Sequence, residues 1–172
     1  MSKLLVVSDN HGDQQILTKI LHQFGDQVDY RFHNGDSELS IDSPLVQQFN
    51  IVKGNMDFED FPLENVVNIG DDVVYQTHGH LKNVNQSPLN LELTARSVSA
   101  NIALFGHTHQ LMCTMDGSLL LVNPGSISQP RGEFQMIGGT FCIVDVSTQK
   151  FIVDYYDRDL NLVPSLHFQF DR

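Results

Sequence analysis

The sequence predicts an α/β protein built on parallel strands, and three observations lead there. Short strand-like runs recur at residues 3–8 (KLLVVS), 28–32 (VDYRF) and 50–53 (NIVK). The first two are separated by a segment with helical spacing. Each run also closes in a tight polar turn carrying an acid, a histidine or an asparagine. A β-α-β-α-β start of this kind implies a parallel sheet with right-handed crossovers.

Residues 3–8 are apolar enough for a strand covered on both faces, and they end in Asp9-Asn10-His11-Gly12. A helix follows with Asp13 near its start. Ile16, Leu17, Ile20, Leu21 and Phe24 share its buried face, and Gly25 stops it. Strand 28–32 ends in His33-Asn34-Gly35-Asp36. A short helix over 44–49 leads to strand 50–53, which ends in Gly54-Asn55-Met56-Asp57. Residues 65–69 and 73–76 flank Gly70-Asp71-Asp72 as a hairpin, and its second arm runs into Thr77-His78-Gly79-His80. A helix over 88–99 starts on Pro88, which the first helical turn tolerates.

The apolar segment 101–105 closes on Gly106-His107-Thr108-His109. A second hairpin pairs 111–115 with 119–122, Asn123-Pro124-Gly125-Ser126 is a turn, and a third hairpin pairs 138–146 with 151–157. Residues 158–172 read as a polar tail or a late edge strand. No linker, repeat or low-complexity segment interrupts residues 1–172, which read as one domain.

The bulk properties exclude several classes. A chain of 172 residues is long enough to bury roughly 70% of its unfolded surface. The net charge of −11, with no cluster of lysine and arginine, argues against a protein that tracks a nucleic-acid polymer. Attraction for an anionic substrate must then be local, and bound dications are an obvious source. No apolar run approaches the roughly 20 residues that span a bilayer, and the N-terminus is too short for a secretory signal. Cys113 and Cys142 match no zinc or redox spacing and read as buried small hydrophobes, as expected of a cytoplasmic protein.

The informative residues sit just past the end of each strand: Asp9 and His11, then Asp36, Asn55, His78, and finally His107 and His109. Open α/β sheets bind ligands outside the carboxyl ends of their strands. Alternation in an extended segment points His107 and His109 to one side, and Gly106 is expected to turn the chain sharply off its strand. Neutral imidazole is the commonest side-chain metal ligand. Seven donors are too many for one tetrahedral zinc site and suit two cations sharing a bridging carboxylate, for which Asp36 is central in the chain order. Such pairs clamp the attacking and leaving oxygens of an in-line displacement. Mixed nitrogen and oxygen ligation suits manganese, iron or zinc. Two dications against Asp9 and Asp36 leave a local positive surplus that attracts phosphate and acidifies a bridging water into a hydroxide nucleophile.

In this order, D-x-H, G-D, G-N, H-G-H and G-H-T-H resemble the calcineurin-like metallophosphoesterase superfamily, in particular its small single-domain prokaryotic phosphodiesterases. The resemblance implies a four-layer α/β/β/α fold, a two-sheet sandwich flanked by helices. It implies one metal held by Asp9, His11, Asp36 and His109 and a second by Asp36, Asn55, His78 and His107, with Asp36 and Asn55 in catalytic positions. Manganese is the expected ion, with zinc, iron or nickel as alternatives. The segment Asn123 to Ser126 with Pro130-Arg131 resembles the family's stretch beside the site, so Asn123, Ser126 and Arg131 are expected to meet the substrate phosphate. Many phosphatases of the superfamily place a proton-donating histidine after the motif asparagine. Here that position is Met56, which leaves His80 and His33 as candidates for leaving-group protonation.

Several of these residues also have ordinary readings. Gly35-Asp36, Gly54-Asn55 and Pro124-Gly125 are turn sequences in their own right. Arg131 fits a solvated surface, and Asp57-Phe58-Glu59-Asp60 reads as a solvated acidic loop. The expected activity is hydrolysis of a small phosphodiester. A phosphomonoesterase, or a non-catalytic scaffold such as the retromer subunit of the same fold, is the alternative. The strands after residue 111 are expected to expose apolar surface compatible with a homodimer.

Overall fold

The computed structural model describes residues 1–172, and its strands segregate into two sheets by the alternation of their side chains. Strand β1 (Ser2–Val7) shows the rule. Leu4 and Val6 join the core between the sheets, while Leu5 and Val7 face the opposite side. There they meet helix α1 (Gln14–Phe24), which buries Ile16, Leu17, Ile20 and Phe24. Asp13 caps this helix, its carboxylate accepting from the backbone N–H groups of Gln15 and Ile16. The next strands are β2 (Tyr30–His33) and β3 (Asn50–Ile51), both parallel to the core strand. The expected helix over 44–49 is a single 3-10 turn, Val46–Gln48.

Strands β4 (Glu64–Ile69) and β5 (Asp72–Thr77) form the first hairpin. Helix α2 (Leu89–Ser97) then crosses to β6 (Ile102–Leu104), which lies parallel to β5. Strands β7 (Met112–Asp116) and β8 (Leu119–Asn123) follow, then β9 (Thr140–Val146), β10 (Lys150–Asp157) and β11 (Leu162–Asp171). The six-stranded sheet runs β11-β10-β9-β1-β2-β3 and the five-stranded sheet β4-β5-β6-β8-β7. Both are mixed, because β9 pairs antiparallel to β1 and the hairpins extend the edges.

The four layers follow from period-2 alternation in β6 and β8. Ile102, Leu104, Leu120 and Val122 face the other sheet, whereas Ala103, Leu119 and Leu121 face Leu91 and Ala95 of α2. The fold is therefore the α/β/β/α sandwich that the resemblance implied. Within residues 158–172, Leu162–Asp171 form edge strand β11, where Leu166, Phe168 and Phe170 turn toward the core and His167 and Gln169 away. Cys142 is buried and Cys113 half-buried, and both are free thiols. No helix is long and apolar enough to cross a membrane.

Of the strands after residue 111, β7 is half-buried and keeps Met112, Cys113 and Met115 partly accessible. β8 is buried throughout, and Met136 and Leu162 are the large hydrophobic residues left exposed in that half.

Candidate metal centre

The carboxyl ends of β1, β2, β3, β5 and β6 open on one rim, and buried amides stitch the two sheets together beneath it. Gln76 of β5 donates to the carbonyls of His33 and Asn50 across the sandwich, at 3.0 Å each. Asn34 donates to the Phe105 carbonyl at 2.9 Å. Polar groups this deep are stable only because each is partnered. They bring the loops of one sheet within reach of the other.

Backbone geometry then aims the side chains. Nine non-glycine residues adopt positive φ, and six belong to this rim: Asp9, His11, Asp36, Glu38, His107 and His109. Such conformations cost of order 1–3 kcal/mol each and persist where the surroundings over-determine them. His107 and His109 both have positive φ (65° and 60°), so the segment is not the extended strand that simple alternation assumes. Nor does Gly106 supply turning freedom, since its φ lies outside the left-handed region. A Cβ there would collide with Ser8 and lie 2.7 Å from Asp9 Oδ2, so glycine is required by close packing.

One donor set is assembled. Asp9, His11, Asp36 and His109 place ligand atoms within 4.8 Å of one another. His11 Nε2 lies 3.3 Å from His109 Nε2, and Asp9 Oδ1 lies 3.2 Å from the same nitrogen. Asp9 Oδ1 is buried without a hydrogen-bond partner, an orphaned oxygen that a cation would satisfy. The other set meets on the far side of Asp36. His78 Nε2 stands 3.4 Å from Asp36 Oδ2 and 3.2 Å from Asn55 Oδ1, and the His107 ring lies 5.1 Å from that of His78. All the donors are nitrogen or oxygen, so the residues fit a divalent first-row ion.

Residues 2–149 match the model of the calcineurin-like phosphoesterase superfamily domain. The chain belongs to that superfamily. The solved structure of a conserved Streptococcus pneumoniae protein, described as a predicted phosphoesterase, has a TM-score of 0.95 to it at 40% identity. That match covers 99% of this chain and 98% of the other. The probable metallophosphoesterase YsnB of Bacillus subtilis is 33% identical over 164 residues, 95% of each chain. The phosphodiesterase YfcE of Escherichia coli is 26% identical over 159 residues, covering 77% of this chain and 83% of its own. The chain is accordingly a metal-dependent phosphoesterase.

Burial and neighbouring charges shift several acids and bases of the calcineurin-like centre. Burial alone would raise the Asp36 carboxyl, but His78, the Met56 N–H and His11 together hold it below its usual value. Burial opposes protonation of His78, yet the neighbouring carboxylates of Asp36 and Asp9 and the Asn34 carbonyl raise it overall. His109 is likewise raised, against burial, by Asp9 and the Gln129 carbonyl. His107 is lowered by burial and by the charge of His78. Imidazole and carboxylate ligands bind cations only when deprotonated, so cation binding here weakens as pH falls.

Three expectations need correction. Asn123 is fully buried, its amide donating to the Gly106 carbonyl and to Thr108 Oγ1. Ser126 is fully buried too, donating to the Asp9 carbonyl at 2.8 Å. Both brace the metal loops from below and present no surface to a phosphate. His33 is only 1% exposed. Its Nε2 is bonded to Asn10 Oδ1, its Nδ1 accepts from the Gly35 N–H, and burial depresses it to about 4. With both ring nitrogens engaged and the ring sealed from the cleft, it cannot reach a leaving group.

Arg131, by contrast, lines a cavity of about 340 Å³ together with His11, Asp36, Asn55, Met56 and His109. His80 stands beside the His78 ring at 5.3 Å, with a buried, unpartnered Nδ1.

The sequence reading missed Asp57, Glu38 and Asn85. Asp57 is buried rather than solvated and accepts hydrogen bonds from the loop carrying Asp36. Glu38 and Asn85 contact His11 and His107. For Glu38 a signal existed: it follows Asp36 by two residues, as His11 follows Asp9 and His109 follows His107.

Proposed function

We propose that this chain is a phosphodiesterase working with two divalent cations, manganese foremost and zinc, iron or nickel as alternatives, on a small phosphodiester. The position of Asp36 between the two donor sets carries this reading. Its Oδ1 accepts the Met56 N–H at 2.7 Å and its Oδ2 faces His78, while one of its oxygens lies within 4.8 Å of the ligand atoms of Asp9, His11 and His109. When bound, the cations supply Lewis acidity to an attacking water and to the phosphate oxygens. Asn55 completes the second donor set at the mouth of the cleft, where its side chain is accessible.

Arg131 is exposed on the rim, and a guanidinium there suits two phosphate oxygens at once. Met56 cannot donate a proton, so His80 is the residue proposed to serve the leaving oxygen. The cavity size suits a small ligand, and the rim lacks the basic stripe a nucleic-acid polymer would need. The two free thiols support a reducing, cytoplasmic setting.

The test is hydrolysis of bis(4-nitrophenyl) phosphate and 4-nitrophenyl phosphate by chelator-treated protein, before and after manganese is added. Diester hydrolysis should vanish on chelation, return with manganese, and exceed monoester hydrolysis at least about tenfold in kcat/KM. Full activity in the chelated protein overturns the metal role, and a reversed preference makes the chain a phosphomonoesterase.

A further inference from the structure

Four histidines stand at the cleft, and each gives one ring nitrogen to an anchor, leaving the other to the donor sets. For His78 and His109 the anchor is a backbone carbonyl: Asn34 at 2.7 Å and Gln129 at 2.8 Å, both through Nδ1. For the other two it is a side chain. His11 Nδ1 lies 2.6 Å from Glu38 Oε1, and His107 Nε2 lies 2.9 Å from the Asn85 amide. His11 therefore presents Nε2 to the cleft, whereas His107 presents Nδ1 to a cation when the Asn85 amide is turned so that its Oδ1 accepts from Nε2–H.

A carbonyl anchor comes with the fold, but a side-chain anchor brings its own charge. Glu38 is anionic and Asn85 is neutral, and they stand behind different donor sets. A carboxylate behind a ligating imidazole fixes its tautomer and makes its free nitrogen more basic, and such partners commonly change metal affinity 10–100-fold.

Glu38 is also held in place by the machinery that holds Asp36. Its φ is 54°, beside 52° at Asp36, and its N–H donates to Asp57 Oδ1 at 2.7 Å. A left-handed glutamate is an expensive way to make a surface loop. Of the six left-handed rim residues it is the one outside the seven expected donors.

We propose that Glu38 is a positioning residue for His11 that makes the site of Asp9, His11, Asp36 and His109 the tighter of two, so that this site fills first. Asn85 holds His107 in the other site without adding charge. The proposal rests on the two-cation reading of the cleft.

The experiment is calorimetric titration of the metal-free full-length chain with manganese. The wild type should show two classes of site. Glu38→Gln keeps the size and an acceptor oxygen but removes the charge. It should weaken the tighter class about 10–100-fold while leaving the weaker class within about threefold. Asn85→Ala should weaken the other class alone. Glu38→Ala, checked by its melting temperature, controls for loss of fold and should match Glu38→Gln in affinity.

An unchanged tight class in Glu38→Gln, or equal weakening of both classes, overturns the proposal while the two-cation reading stands. A wild type that binds fewer than two manganese ions overturns both.

Discussion

Asp57 accepts the backbone N–H of Asp36 at 2.9 Å through the same oxygen that accepts the Gly54 N–H at 2.8 Å. Its other oxygen takes Ser37 Oγ at 3.0 Å and the Glu38 N–H at 2.7 Å. One buried carboxylate thus collects four donors from the loops after β2 and β3, filling its acceptor sites without a counter-cation. Asp57→Asn exchanges one acceptor oxygen for an NH2 group facing two N–H or O–H donors. Stability should fall by about 3 kcal/mol, the cost of unpaired buried donors and a lost charge-assisted bond. Urea unfolding of the two proteins measures it. A loss below about 0.5 kcal/mol, within the noise of a surface change, would show that the loops hold themselves together.

His33 makes the pH dependence of stability testable. Burial depresses it to about 4 from 6.5, with Asp57 and Asp9 opposing. The unfolded chain therefore binds a proton that the folded chain refuses between those two values, so this residue's contribution is full above pH 6.5 and lost as pH falls toward 4. At 1.36 kcal/mol per pH unit the whole gap amounts to about 3 kcal/mol. His78 and His109, whose values are raised, act in the opposite sense. The readout is therefore a difference: chelated His33→Gln should lose less stability than chelated wild type between pH 7 and pH 5. Parallel pH profiles would remove His33 from the account.

The donor residues were legible because each lies within five residues of a strand end, and strand ends are marked by apolar runs and glycine. The supporting residues were not, because their partners are remote. Gln76 reaches Asn34 from 42 positions away, Asp57 reaches Asp36 from 21, and Asn85 reaches His107 from 22. Nothing local distinguishes Asp57 from Asp60, which is exposed beside Lys53. Asn123 and Ser126 were misread for a related reason. Their turn sits next to the site, but a turn can brace a loop from underneath as well as face a ligand. For β11, the alternation of Leu166, Phe168 and Phe170 favours the edge-strand reading over the polar tail.

His80 is tested through the leaving group. Burial and the charge of His78 both lower its pKa, and a nearby cation would push it the same way. At neutral pH the imidazolium is therefore its minor form. As an acid it should matter more as pH falls, and only for alkoxide leaving groups. General acids contribute about 10²–10⁴-fold. His80→Asn should therefore slow alkyl diesters by at least about 10² while leaving nitrophenyl esters within about threefold. Equal slowing of both substrate types would place His80 in the scaffold instead.

Gly106 connects packing to cation binding. Its N–H donates to the His78 carbonyl at 3.0 Å, and its own carbonyl accepts from Asn123, so the backbone cannot retreat. Ser8 donates to Asp9 Oδ2 in the space a Cβ would take. Gly106→Ala should cost about 1–3 kcal/mol, as overpacked sites do, and it should displace the Asp9 carboxylate from the tighter cation site. Gly70 is the control. It lies at φ 72° in the β4–β5 turn with open space around its Cα, so Gly70→Ala should cost roughly 1–2 kcal/mol of backbone strain and leave the cleft untouched. Manganese titration separates the two: Gly106→Ala should lose the tight class of site, and Gly70→Ala should keep both. Wild-type affinity in Gly106→Ala would mean that Ser8 gives way and Asp9 stays, and the close-packing account of this glycine would fall.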